Sequence, residues 1–210
     1  MNGLPLTIVK GDKMPNEVAF QIIVTLSMIA FLAIRLYYRL KTRTLRLELA
    51  SSRDNKMMRR FLPILFILFL GILIWLLNPA LMVWSALAWP AWVRWVGTVL
   101  VFVGLALLVW VHEALGANFS GNLEIREHHK LVTMGPYRWV RHPMYTAILL
   151  FVAGIALMTA NWFIVLLPLA FALFFVLRAP NEEKLMVEAF GNEYQDYKKR
   201  TGRFLPRLIG

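Results

Sequence analysis

Two clusters of polar side chains sit hard against apolar runs, and their residue types limit what chemistry they could do. The first is the run Leu131-Val132-Thr133-Met134-Gly135-Pro136-Tyr137-Arg138-Trp139-Val140-Arg141-His142-Pro143-Met144-Tyr145, with two guanidiniums, an imidazole and several aromatic rings on turn-forming residues. The second is Arg178 with Glu182 and Glu183, which follows the next apolar hairpin. Together they offer cations to an anionic ligand, carboxylates to an ammonium, and a titratable imidazole. Ionisable groups at the boundary of an apolar span are candidates for function. Each also has a plainer reading. Arg138 and Arg141 could snorkel as membrane anchors, and His142-Pro143 could simply start a helix. Arg178 and Glu182, spaced i to i+4, could form a helix-end ion pair, one that Pro180 between them would distort.

Several chemistries are disfavoured by what the chain lacks. There is no cysteine, hence no thiolate nucleophile, no thiolate metal site and no disulfide. The pattern argues against metal: His112-Glu113 would open a zinc helix motif, but Gly116 stands where the second histidine is needed, and His128 and His129 are adjacent. Neither a Gly-x-Ser-x-Gly elbow nor a phosphate-binding glycine loop occurs. The net charge of +11 could suggest nucleic acid. The Lys and Arg lie between apolar spans, however, so anionic lipid headgroups are the expected partner and nucleic acid is not.

The elements that must position these residues follow from hydropathy. With 59% hydrophobic side chains in 210 residues, the chain reads as an all-α integral membrane bundle of about five spans. The expected spans are 18 to 38, 61 to 77, 93 to 115, one starting at Pro143, and one ending near Arg178 with Pro180 marking its exit. The turn at Thr159, Ala160 and Asn161 makes the last two antiparallel neighbours. Trp84, Trp89 and Trp92, flanked by Trp75 and Trp95, read as an interfacial aromatic belt. Of 23 Lys and Arg, eight lie in 39 to 60, four in 116 to 142 and seven in 178 to 207. By the positive-inside rule this puts the N-terminus outside and both polar clusters in the cytoplasm. The first apolar run is long enough to span and lacks a cleavage site, so it reads as an anchor. After Glu183 an amphipathic helix is expected to lie over the site.

The residues also carry a resemblance. Gly135-Pro136-Tyr137, Arg141-His142-Pro143-Met144-Tyr145, Glu182-Glu183 and Phe190-Gly191-Asn192-Glu193-Tyr194 with Tyr197 and Arg200, in this order, resemble the isoprenylcysteine carboxyl methyltransferase family and its prokaryotic relatives. The resemblance covers roughly 112 to 207, and it implies one membrane domain with anchor spans over 1–90 and a catalytic core over 91–210. It implies an S-adenosylmethionine-dependent methyltransferase of a bacterial or archaeal inner membrane, acting on a lipophilic acceptor that enters from the bilayer. Cofactor contacts are implied at Glu124, His129, Lys130, Leu131, Val132, Tyr137, His142, Pro143, Met144, Tyr145, Glu182 and Glu183. The family associates the arginine matching Arg178 with the acceptor carboxylate, and Arg178 and Glu182 are the catalytic candidates. An adenine could lie among Leu131, Val132 and Tyr145, and Glu182 could pair the cofactor's ammonium. A carboxylate acceptor is already ionised at neutral pH. An amine acceptor such as phosphatidylethanolamine would need a base, with His142 or Glu183 as candidates. A transporter or lipid-binding protein, and a nicotinamide-dependent membrane reductase, are the readings from other classes. The first would place charges at mid-span, the second would need a basic, glycine-rich phosphate loop.

Overall fold

An α-helix rises about 1.5 Å per residue, so a ~30 Å hydrocarbon layer needs about 20 apolar residues. The computed structural model describes residues 17–41, 55–116 and 131–207, and four of its helices meet that length: α1 (Glu17–Lys41), α2 (Asn55–Leu77), α3 (Ala91–Leu115) and α5 (Trp162–Arg200). The remaining helix, α4 (Pro143–Thr159), has 17 residues. More than half of those are buried, which makes α4 the inner element, while the long helices turn many large apolar side chains outward. Apolar surface of that extent is what an integral membrane protein presents to lipid.

The α3–α4 crossing is built from glycine. Gly97 and Gly154 face one another so closely that a Cβ on Gly154 would lie 2.5 Å from the Gly97 carbonyl oxygen and 2.8 Å from the Val101 nitrogen. Gly104 meets the Phe151 backbone in the same way. Within lipid, where apolar burial gives helices no net reason to associate, such backbone approach is a main source of attraction. The α4–α5 turn is fixed by Asn161, which is 1% exposed. Its side-chain oxygen accepts from the backbone N–H groups of Phe163 and Ile164, capping α5. Its amide nitrogen donates to the Met82 carbonyl and the Ser85 hydroxyl of the short 3-10 turn Pro79–Ser85.

At this same end of the bundle Arg94 is buried. It donates to the Met158 carbonyl at 2.7 Å and to Glu17 at 2.8 Å, with its guanidinium 4.0 Å from the Phe20 ring. It ties α1, α3 and α4 together.

Two sequence expectations are corrected. Trp75 is not part of an interfacial belt: it is 3% exposed and packs in the core with Ile72, Met82 and Leu167, whereas Trp84 and Trp92 are exposed. The helix of the last span does not stop at Pro180. α5 runs on to Arg200, interrupted only at Gly191, where φ is 54° and ψ −126°. Proline removes one backbone hydrogen bond from a helix interior. Here Arg178, Ala179 and Glu183 are buried on either side of it, and packing keeps the helix in register.

Gly154→Ala is expected to destabilise the protein by about 2 kcal/mol or more, since the new methyl has only backbone to displace. Asn161→Ala, which removes a cap and leaves buried groups without partners, should cost a similar amount. Reversible unfolding in mixed micelles checks both.

Candidate functional site

The end of the bundle opposite Arg94 gathers the polar clusters. A 3-10 turn, Gly135–Arg138, lies against the end of α3, with Gly135 at φ 58° and so close to Ala114 that a Cβ would lie 2.9 Å from its side chain. The chain then reaches His142, the residue capping α4, with Pro143 in the first helical turn where no N–H is required. Across from it, the polar continuation of α5 beyond its apolar stretch presents Glu182 and Glu183.

The two carboxylates hold different company. Glu182 accepts from Arg178 Nε at 2.7 Å and from the Tyr145 hydroxyl at 2.5 Å on one oxygen, with His142 Nδ1 3.3 Å from the other. Glu183 is 3% exposed and surrounded by cations: Arg141 Nε at 3.0 Å, Arg203 Nε at 3.0 Å, Lys198 Nζ at 3.2 Å and His142 Nε2 at 3.5 Å. The imidazole of His142 therefore has a carboxylate at each nitrogen. Tyr145 lies nearly parallel to His142 (5.3 Å, 9°) and stacks on Phe175 of α5 (4.0 Å, 7°).

Burial alone would lower the pKa of His142, but its pairing with Glu182 and Glu183 outweighs that and raises it, which favours the charged ring. Burial alone would raise both carboxylates. For Glu183 the contacts with His142, Arg203 and Arg141 dominate and hold it well below the usual carboxylate range. For Glu182 the contacts with His142, Arg178 and Tyr145 also lower it. Burial, with Tyr197 and Glu182 nearby, pushes the Tyr137 phenol well up, so it stays neutral.

The structure thus brings Arg178, Glu182, Glu183, His142 and Tyr145 into one cluster. Pro143 and Met144 adjoin it, the Met144 sulfur receiving Arg35 of α1 at 3.3 Å. Tyr137 is held beneath by the Tyr197 hydroxyl, which donates to its carbonyl at 2.7 Å. Leu131 and Val132 are half-buried at the start of this segment. One face of the Tyr145 ring is taken by Phe175, which limits how an adenine could meet it. Glu124, His129 and Lys130 lie outside the described residues. Of the two candidate anchors, Arg138 is exposed and sits 4.9 Å over the Trp139 ring. Arg141 is no lipid anchor: besides Glu183 it binds the carbonyls of Lys198 and Thr201. The parts that sequence reasoning missed are Lys198, Arg203 and the segment after α5. Their sequence signal is a run of cations, Lys198, Lys199, Arg200, Arg203 and Arg207, with Pro206 among them.

Comparison with known proteins places this arrangement. The profile of the phospholipid methyltransferase family matches residues 92–193. A probable protein-S-isoprenylcysteine O-methyltransferase of Oryza sativa subsp. indica is 34% identical over 120 residues, which are 54% of this chain and 61% of the rice protein. The match therefore spans less than two thirds of that relative. A cobalt-zinc-cadmium resistance protein of Cupriavidus metallidurans is 39% identical over 84 residues, 40% of this chain and 38% of that one. Among solved structures, the eukaryotic intramembrane Ras methyltransferase, isoprenylcysteine carboxyl methyltransferase, superposes with TM-score 0.58 at 21% identity, covering 96% of this chain and 70% of that one. At that identity the likeness is one of fold.

Glu183→Gln should destabilise the protein by about 3 kcal/mol or more, because it strands buried cations. Glu182→Gln, with fewer partners, should cost clearly less. The cluster also has a pH signature. The contribution of Glu183, whose pKa is depressed on folding, is full above its ordinary 4.5 and fades as pH falls through the folded value. That of His142, whose pKa is raised, is full below its ordinary 6.5 and fades as pH rises through the folded value. Melting curves of wild type and His142→Gln should therefore converge as pH is raised above 6.5.

Proposed function

We propose that this relative of the isoprenylcysteine carboxyl methyltransferases is an integral-membrane methyltransferase that moves a methyl group from S-adenosylmethionine to a lipid-borne carboxylate. Residues 91–210 would form its catalytic core and 1–90 its anchor. The site would face the cytoplasm, where the positive-inside rule puts its flanking basic segments.

The residues present fit the cofactor by their charges. An amino-acid end carries one ammonium and one carboxylate. Glu182 has about four lone-pair sites, of which Arg178, Tyr145 and His142 use three, so an added ammonium can be accepted. His142, whose charged form its two carboxylates favour, suits a carboxylate. Tyr137 offers a neutral phenol close to Glu182. When bound, S-adenosylmethionine supplies an electrophilic methyl on a sulfonium. This chain's part is then to orient and to dry the site. Arg178, 8% exposed at the end of the apolar stretch of α5, orients the acceptor carboxylate through charge-assisted hydrogen bonds. Phe174, Phe175 and Tyr145 surround that position with apolar rings that keep water out.

The observation that carries the carboxylate over an amine is the state of the two candidate bases. His142 faces a carboxylate at both nitrogens, which favours its charged form; Glu183 is buried under cations and is a poor proton acceptor. An ammonium headgroup would find both poorly suited to take its proton. A carboxylate needs no base at all. The charges also cluster at span ends, which supports an enzyme over a mid-membrane transport path.

Calorimetry with S-adenosylmethionine is the first test. Wild type should bind, and a folded Glu182→Ala variant should bind at least about tenfold more weakly, the loss expected for a charge-assisted pair. In methyl-transfer assays a prenylcysteine carboxylate should be labelled and phosphatidylethanolamine should not. Arg178→Lys, which keeps charge but loses the planar fork, should lower kcat/KM for the carboxylate more than it weakens cofactor binding. A folded wild type that binds no cofactor sinks the proposal, and labelling of the amine alone reverses the choice of acceptor.

A further inference from the structure

The segment leaving α5 doubles back along the start of α4. Gly202 pairs with Val140 as an isolated parallel bridge, its N–H donating to the Trp139 carbonyl at 3.0 Å. The Arg141 N–H donates to the Gly202 carbonyl at 2.9 Å and the His142 N–H to the Arg203 carbonyl at 3.0 Å. One turn into α4, the Thr146 hydroxyl donates to the Phe204 carbonyl at 2.6 Å. This strap supplies acceptors for donors that the start of a helix leaves unpaired. It also brings a side chain: the half-buried Phe204 ring lies 5.9 Å from His142 and 6.3 Å from Tyr145.

If the strap served only to fasten the segment after α5, Arg203 on Glu183 and the backbone bonds would suffice, and nothing would require an aromatic ring beside His142. His142 lies between both carboxylates, and its Nδ1 is 3.3 Å from one oxygen of Glu182 while Arg178 and Tyr145 hold the other. We infer that Thr201–Phe204 is a positioning element of the methyl-transfer site: Phe204 fixes the His142 ring and, through it, the Glu182 carboxylate that would receive the cofactor's ammonium. The inference rests on the methyltransferase reading given above. It adds a residue outside the motifs that carry the family resemblance.

The test uses full-length protein in nanodiscs, with Phe204→Ala, Phe204→Leu and Thr146→Val compared by melting, by calorimetry with S-adenosylmethionine and by steady-state kinetics with a prenylcysteine acceptor. Phe204→Ala should melt within about 5 °C of wild type. It should raise the cofactor Kd about tenfold and lower kcat, with the acceptor KM little changed, as misplacement of a positioned group does. Phe204→Leu should recover most of the loss. Thr146→Val, which frees the strap's carbonyl but keeps its ring, should show a smaller loss of the same kind. Folded Phe204→Ala and Thr146→Val variants with wild-type Kd and kcat overturn the inference and leave the strap a fastening only. If Phe204→Ala does not fold, Thr146→Val decides alone by the same criterion. Absence of cofactor binding by wild type is the distinct result that overturns the methyltransferase reading and this role with it.

Discussion

A carboxylate buried among cations is the constraint on which the rest of this site depends. Glu183 is held by Arg141 from the approach to α4, by Lys198 from the far end of α5 and by Arg203 from the strap, with His142 near the same oxygen. Desolvating one carboxylate is costly, and the attraction of several charges is what offsets it. The geometry follows from that demand. Two stretches distant in sequence, the approach to α4 and the end of α5 with its strap, are drawn to a single carboxylate, and the helix starts and ends that carry the site are fixed relative to one another before any ligand arrives.

Glu182, one residue along, inherits its position from this arrangement while keeping a different character. It is partly exposed, it has fewer partners, and the ones it has are Arg178, Tyr145 and His142. Adjacent residues on a helix point about 100° apart, so one carboxylate can turn into the interior while its neighbour turns toward the site. The pair divides two tasks that a single buried acid could not perform together, since an acid saturated by cations has no capacity left for a ligand. The pKa of each carboxyl is depressed by its cations, and that of the imidazole between them is raised by both.

How much of this is legible in the sequence depends on range. The apolar runs, the turn at Thr159 to Asn161 and the start of α4 at Pro143 are local signals, and the structure has them where hydropathy and proline chemistry put them. Arg178 with Glu182 is legible for the same reason, because the i to i+4 spacing is a property of one helix. What failed was local reasoning about Pro180 and Trp75. Proline's penalty is a few kcal/mol in a helix interior, and burial on both sides of it overrides that. An indole near a span end reads as interfacial until tertiary contacts bury it. The strap was invisible, since a parallel bridge between Val140 and Gly202 leaves no periodicity and its partners are about sixty residues apart. Arg141 was half legible: its place beside His142 was clear, but its choice of a buried carboxylate over lipid headgroups depends on a residue 42 positions away.

The continuity of α5 has a consequence for how such a site would meet a lipid. Because the helix runs through Pro180, the apolar stretch that sits in the bilayer and the polar continuation that carries Glu182 and Glu183 are one element. The depth of Arg178 relative to the two carboxylates is set by helical rise, about 6 Å over four residues. A span ending at Arg178 would have left that offset to a flexible loop. Under the proposed function a rigid offset would matter, because methyl transfer to an ionised carboxylate draws little on acid or base catalysis and much on alignment. Alignment is lost at the level of a single ångström. On the proposed function, the kcal/mol that the chain spends on burying Glu183 and passing a proline through α5 would therefore act on the same quantity, the distance between an acceptor held at the membrane edge and a donor held one helical turn beyond it.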